Sequence, residues 1–224
     1  MVTGVLLLLT GVVSYPIVLP LTKEAEKQLS TTLPSVRPLF KSTAFLASLL
    51  ITTTAAVTFG FTESLLELHL ETFDLSVTQI GLCFLGYALA YTLFTILAGL
   101  VTDVHLAPWT VNAGGLVVTA AGYYILGPQP FFPLSSSITI TMVSLVLQGV
   151  GNAGILVSSY SCTLAAALAM PQYEDDVSTY SLISSLWTAS YALGNFLGPT
   201  LAGVLYDQVM LLLLQFRIPE MLQK

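Results

Sequence analysis

Three carboxylates recur at a spacing of four residues, Glu63, Glu67 and Glu71, which places them on one stripe of a helix. Like charges so arranged repel, and the sequence leaves two readings open. If the helix stops near Phe61, the stripe is a solvated outer end. If the helix bends or lines a water-filled vestibule, Glu63 is the deepest acid in the chain. A carboxylate at depth costs about 2.5–3.5 kcal/mol on insertion scales, and the chemistry that retains one is cation binding or proton relay. Two amides, Gln148 and Asn152, share a face of a second segment and are interleaved with Gly149, Gly151 and Gly154. A neighbouring helix can approach that face closely, so the amides serve either as interhelical glue or as hydrogen-bonding ligands. Trp187 and Tyr191, again four residues apart, would hold a cation against their ring faces or simply pack.

The elements that position these groups are membrane helices. Of 224 residues, 55% are hydrophobic and 8% charged, against about 25% charged in soluble domains. The fold class is all-α, a polytopic membrane protein. Crossing a hydrocarbon core of about 30 Å takes about 20 apolar residues, and six segments qualify: 2–21, 42–66, 79–101, 109–127, 137–159 and 178–205. Residues 208–216 open like a seventh, but Arg217, Pro219 and Glu220 interrupt it, so 208–224 reads as a stub. The first run has no basic lead and no small-residue cleavage site after it, and is expected not to be a signal peptide.

Four of the six basic residues, Lys23, Lys27, Arg37 and Lys41, fall in one stretch. The positive-inside rule makes 23–41 a cytoplasmic loop. Alternation then puts loops 102–108 and 170–177 on the same side, and 67–78, 128–136 and 206–208 on the other. Pro108 and Trp109 read as interfacial anchors.

Other chemistries are poorly supported. Cys83 and Cys162 lie in or beside apolar segments, as small buried residues do, and do not make a disulfide framework. There is no His/Cys cluster with metal-ligand spacing, no phosphate-cradling Gly-rich loop and no Ser nucleophile elbow, so neither metal, cofactor nor enzymatic activity is expected. A net charge of −6 without a basic face excludes nucleic acid as a partner.

Gly194, Gly198 and Ala202 form a small-residue ridge with Pro199 beside it. The ridge admits another helix at close range. A proline in mid-helix frees a backbone carbonyl and invites a bend, so this helix reads as one made to move.

The stretch Gly99-Leu100-Val101-Thr102-Asp103 enters a short loop, and two helices later Gly194–Gly203 reads Gly-x-x-x-Gly-Pro-x-x-Ala-Gly. Together they resemble the major facilitator superfamily, where the first signature lies between helices eight and nine. The second resembles the antiporter signature of helix eleven. The resemblance implies that residues 1–22 correspond to helix six, 23–41 to the central cytoplasmic loop, 42–207 to helices seven to eleven, and 208–224 to a truncated helix twelve. The run 59–93, together with 173–185 and 198–207, is similar to the polyamine branch of the vesicular amine transporters. Departures are visible. Val104-His105-Leu106-Ala107 replaces the basic residues that normally follow the signature aspartate. Glu63 and Ser64 stand where the branch has Asp and Pro, and Thr188 stands where monoamine carriers have an acid.

The resemblance implies proton-coupled antiport of an organic cation such as a polyamine, in a vesicle or plasma membrane. Glu63, Glu67, Gln148, Asn152, Trp187 and Tyr191 would contact substrate or proton. Gly99, Asp103, Gly194, Gly198, Pro199 and Gly203 would serve the conformational change. A first half of the carrier would come from elsewhere, and possible sources include another chain. The alternative expectation is a truncated, transport-inactive membrane protein that pairs with carriers and modulates them.

Overall fold

A computed structural model describes residues 35–71, 73, 75–104, 107–126 and 137–221. The first apolar segment, 2–21, and residues 23–34 of the basic loop lie outside the described residues. A 3-10 turn, Leu39–Lys41, leads into five α-helices: α1 (Thr43–Glu71), α2 (Val77–Val104), α3 (Pro108–Leu126), α4 (Ile138–Leu168) and α5 (Val177–Met221). No strand occurs among the described residues. Among the described residues, three stretches are long and apolar enough to cross a membrane, Thr43–Leu70, Val77–Thr102 and Ile138–Leu168. With 19 residues, α3 measures about 28 Å at the usual helical rise.

The helix starts have local causes. Before α2, the Ser76 N–H donates to the Gln79 side-chain oxygen at 2.9 Å, and the Gln79 N–H returns to the Ser76 hydroxyl at 3.4 Å. This is a reciprocal capping box. Pro108 occupies the first position of α3, where its missing N–H costs nothing. At α5, the Asp176 carboxylate accepts the Thr179 N–H at 2.9 Å. Many hydroxyls inside the helices are satisfied locally: Thr52, Thr53 and Thr54 donate to the carbonyls of Ser48, Leu49 and Leu50. Those of Thr102 and Thr119 are buried without a partner.

That local satisfaction explains one difference from the sequence expectation. The fifth apolar segment was bounded at 159, yet α4 continues to Leu168, because Ser158 and Thr163 bond the carbonyls of Gly154 and Ser159. Two further differences concern loop bounds. The helix carrying the acidic stripe runs to Glu71, which excludes the open reading of a stop near Phe61 and starts the loop expected at 67–78 only after that residue. Residues 206–208, expected as a loop, are helical and continuous with α5, since Leu205-Tyr206-Asp207-Gln208 contains no Gly or Pro to break the turn.

The centre of the bundle is α4, which packs on α1, α2, α3 and α5. Close approach depends on glycine. A Cβ on Gly149 would lie 2.9 Å from the Tyr87 carbonyl of α2, and one on Gly151 would lie 2.6 Å from the Thr119 nitrogen of α3. The predicted ridge of α5 packs against α1. A Cβ on Gly194 would overlap the Thr53 carbonyl, and one on Gly198 would lie 2.6 Å from the Val57 carbonyl.

Pro199 stands inside the continuous α5 and cannot donate to the Asn195 carbonyl. That carbonyl and the proline ring both face Gly60, at 3.4 and 3.0 Å from where its Cβ would be. Apolar cores close the two ends of the bundle, one around Leu39, Phe45 and Ile183, the other around Leu66, Leu70 and Leu145. Leu82, Leu89, Leu93 and Ile96 of α2 point outward and are exposed, as a lipid-facing surface requires.

Candidate functional site

Between the end cores the interior changes character. Ala55 of α1 and Ile155 and Leu156 of α4 form a small buried floor, against which Tyr91 of α2 and Trp187 and Tyr191 of α5 pack. The four-residue spacing of Trp187 and Tyr191 sets them one turn apart, with rings stacked at 5.8 Å between centroids and 5° between planes. The Trp187 indole N–H donates to the Ser159 hydroxyl at 3.1 Å, and Tyr160 meets the indole edge-on at 5.9 Å. From α1, Phe59 reaches Tyr87 at 5.4 Å and Tyr91 at 5.7 Å. Phe59, Tyr91, Tyr160, Trp187 and Tyr191 are all half-buried, so each side chain keeps part of its surface exposed.

Beside this aromatic face lies a polar network whose two amides are fully enclosed. Gln148 and Asn152 are both 0% exposed. The Thr62 hydroxyl donates to the Gln148 carbonyl oxygen at 2.8 Å, and the Gln148 amide donates to the Ser144 hydroxyl at 3.0 Å. Ser144 in turn donates to the Gly122 carbonyl of α3 at 2.8 Å. One turn along, Thr58 donates to the Asn152 carbonyl oxygen at 3.3 Å, and the Asn152 amide donates to the Tyr87 hydroxyl at 3.3 Å. Tyr123 of α3 donates to the Thr58 carbonyl at 2.6 Å. Four helices are thereby tied together, each amide spending both its donor and acceptor functions on neighbours.

The predicted residues divide among these settings. Trp187 and Tyr191 belong to the aromatic face; Gln148 and Asn152 belong to the polar network. Glu63 and Glu67 are exposed on α1. Glu63 follows Phe59 by one turn on the same stripe. Glu67 lies a further turn out. Gly194, Gly198 and Pro199 form the contact with α1, whereas Cβ atoms on Gly99 and Gly203 would meet nothing within 4 Å. Asp103 lies in the last turn of α2.

Phe59, Tyr91, Tyr160, Thr58, Thr62 and Tyr123 were not singled out from sequence. The available signal was the repetition of the same spacing, Tyr87 to Tyr91 and Thr58 to Thr62. Among the described residues no cluster of His, Cys, Asp and Glu is arranged to hold a metal ion. In the loop before α5, bonds from Thr179 hold the Asp176 carboxyl below its usual range, and Tyr173 donates to the Ser35 carbonyl at 2.6 Å.

Membrane-length helices packed around a buried polar network define a helical integral membrane protein. The chain belongs to the Major Facilitator Superfamily, whose family model matches residues 44–211. Similar curated proteins include the MFS-type transporter SLC18B1 of Homo sapiens, 35% identical over 154 residues, or 67% of this chain and 33% of the relative. The Mus musculus and Rattus norvegicus proteins of the same name are each 34% identical over the same proportions. The matched region thus spans about a third of the length of these relatives. No solved structure matches the chain.

Proposed function

We propose that this chain supplies the second-half wall of the solute path in a facilitator carrier that exchanges an organic cation, such as a polyamine, for protons. The observation that carries this reading is the stacked Trp187–Tyr191 pair, which shares its floor with Tyr91. Aromatic ring faces attract a cation by about 0.5–1 kcal/mol each when exposed and about 2 kcal/mol when desolvated. Glu63, at the rim and one turn from Phe59, balances the charge of the bound cation or accepts a proton in its place. Glu67 extends the negative field outward and draws cations toward the rim. Gln148 and Asn152 act from behind the wall: by bonding Tyr87, Thr58 and Thr62 they hold the rings in register.

The access change is a rocking of one half against the other about a site near the midplane. In this reading α1 and α5 move as a unit, clasped at Gly194 and Gly198. Pro199 and the Asn195 carbonyl to which it cannot donate, both beside Gly60, provide the point at which α5 yields, while Gly99, Asp103 and Gly203 serve the same change from the helix ends. A first half, covalently attached or on another chain, completes the site. The membrane is that of an acidified vesicle or the cell surface, with residues 23–41 cytoplasmic. The test is uptake of labelled spermidine into vesicles with an acidic interior by the full-length carrier that contains this half. Glu63→Gln is expected to abolish gradient-driven uptake, and uptake that survives unchanged removes the role of Glu63.

A further inference from the structure

Helix α5 lies along α1 and meets α4 only lightly. Among the described residues two side-chain hydrogen bonds cross from α4 to α5, and they come from consecutive residues of α4. The Tyr160 hydroxyl pairs with the Ser184 hydroxyl at 3.0 Å, and the Ser159 hydroxyl accepts the Trp187 indole N–H at 3.1 Å. The first bond holds α5 at the turn before Trp187. The second acts on the indole itself.

Ser158 and Ser159 are the same residue type and both are 0% exposed, but they are used differently. Ser158 bonds the Gly154 and Ile155 carbonyls of its own helix, as a hydroxyl in an apolar helix does. Ser159 donates to the Leu156 carbonyl at 3.0 Å, which leaves its oxygen able to accept, and that oxygen receives Trp187. Its backbone is held too, because Thr163 donates to the Ser159 carbonyl at 2.7 Å. The acceptor is therefore fixed on the central helix, whereas the indole that meets it is half-buried. The second side-chain angle of a tryptophan has broad, roughly two-fold wells, not sharp staggered ones. A bond at the indole nitrogen, which lies off the axis of that rotation, selects one ring placement. The one selected is stacked parallel to Tyr191.

We propose that Ser159 is a positioning residue for the cation wall, its hydroxyl holding the Trp187 ring in the orientation that takes the cation. The inference rests on the reading of the Trp187–Tyr191 pair as that wall. Complete burial keeps Ser159 off the solute, so it acts only through the fraction of indole rings that stand correctly. Apparent affinity falls in proportion to that fraction.

The test is uptake of labelled spermidine by the full-length carrier that contains this half. Ser159→Ala is expected to raise KM about fivefold, the factor equivalent to one hydrogen bond of ordinary net strength, with the maximal rate unchanged. Ser158→Ala removes an equally buried hydroxyl that the indole does not meet, and is expected to leave KM as it was. Phenylalanine has no N–H, so adding Ser159→Ala to Trp187→Phe is expected to raise KM no further. An equal rise in Ser158→Ala, or a further rise in the double variant, overturns the proposal. If Ser159→Ala leaves KM unchanged while Trp187→Leu raises it, the proposal falls and the cation reading stands; if neither raises it, both fall. The bond is also read without altering Ser159. In this chain carrying Trp109→Phe, Trp187 is the remaining tryptophan, and its ultraviolet resonance Raman N–H band in detergent is expected at the position of a hydrogen-bonded indole. An unbonded band overturns the proposal even where Ser159→Ala fails to fold.

Discussion

The hydroxyl of Thr62 donates a 2.8 Å hydrogen bond to the side-chain carbonyl of Gln148, joining α1 to α4 in the sealed interior. One turn away the same two helices are joined again by Thr58 and Asn152. The two bonds fix the register of α1 on α4, and with it the placement of Phe59 relative to the rings of α2 and α5.

Removing one member of the first pair exposes the cost of the other. Gln148→Leu leaves Thr62 and Ser144 short of partners and is expected to destabilise the bundle by about 1–2 kcal/mol, the upper range for interhelical bonds in membranes. Thr62→Val in the same chain should recover part of that loss. Thermal unfolding in detergent of the two single variants and the double variant measures the coupling, and strict additivity contradicts the pairing.

The glycines of α5 are predicted to differ sharply. Gly198→Ala drives a methyl toward the Val57 carbonyl, 2.6 Å away, and is expected to cost about 1–3 kcal/mol. Gly203→Ala meets nothing within 4 Å and should leave stability unchanged or slightly raised through better helix propensity. Melting temperatures of the purified variants in one detergent test the contrast.

Trp187→Leu keeps an apolar side chain but removes the stacked indole. Loss of about 1.4 kcal/mol of cation binding corresponds to about a tenfold rise in the KM for organic cations, with Trp187→Phe losing less. Uptake by the full-length carrier reads the effect, and equal KM values across the series argue that the ring face does not bind the cation.

Acid should loosen the start of α5. The Asp176 carboxyl is held below its ordinary value of 3.8, first by the Thr179 backbone N–H and then by the Thr179 side chain. A group with a depressed folded-state pKa contributes stability that is present above the unfolded value and lost as pH falls through the folded one. Asp176→Asn retains an acceptor without the titration. Its protection of the α5 start from hydrogen exchange should therefore depend less on pH in the acid range than that of the parent chain. Identical pH profiles would assign the acid sensitivity to other groups.

Much of the fold is legible in the chain itself, because the signals are local. Apolar runs of membrane length mark the helices, Ser76 with Gln79 and the proline at 108 mark two of their starts, and the Gly194–Gly198 ridge marks a close helix contact. Polar runs mislead where their hydroxyls bond within the helix, which is why α4 outruns its apolar segment through Ser158 and Thr163. The continuation of α1 to Glu71 was one of two options the sequence left open.

By itself the sequence determined that the chain is a helical membrane protein, which residues stand a turn apart, and which of them carry aromatic, amide or carboxylate groups. Tertiary structure alone decided how those pairs are used. Gln148 and Asn152 have the same spacing as Trp187 and Tyr191, yet the first pair is sealed against Thr62, Thr58 and Tyr87 while the second keeps part of its surface exposed beside Tyr91. Spacing along one helix is set by its own backbone, whereas the partner across the interface depends on how closely glycines let two helices approach and in what register. For the same reason Ser159 reads as an ordinary residue of α4 until its hydroxyl is found accepting the Trp187 indole N–H.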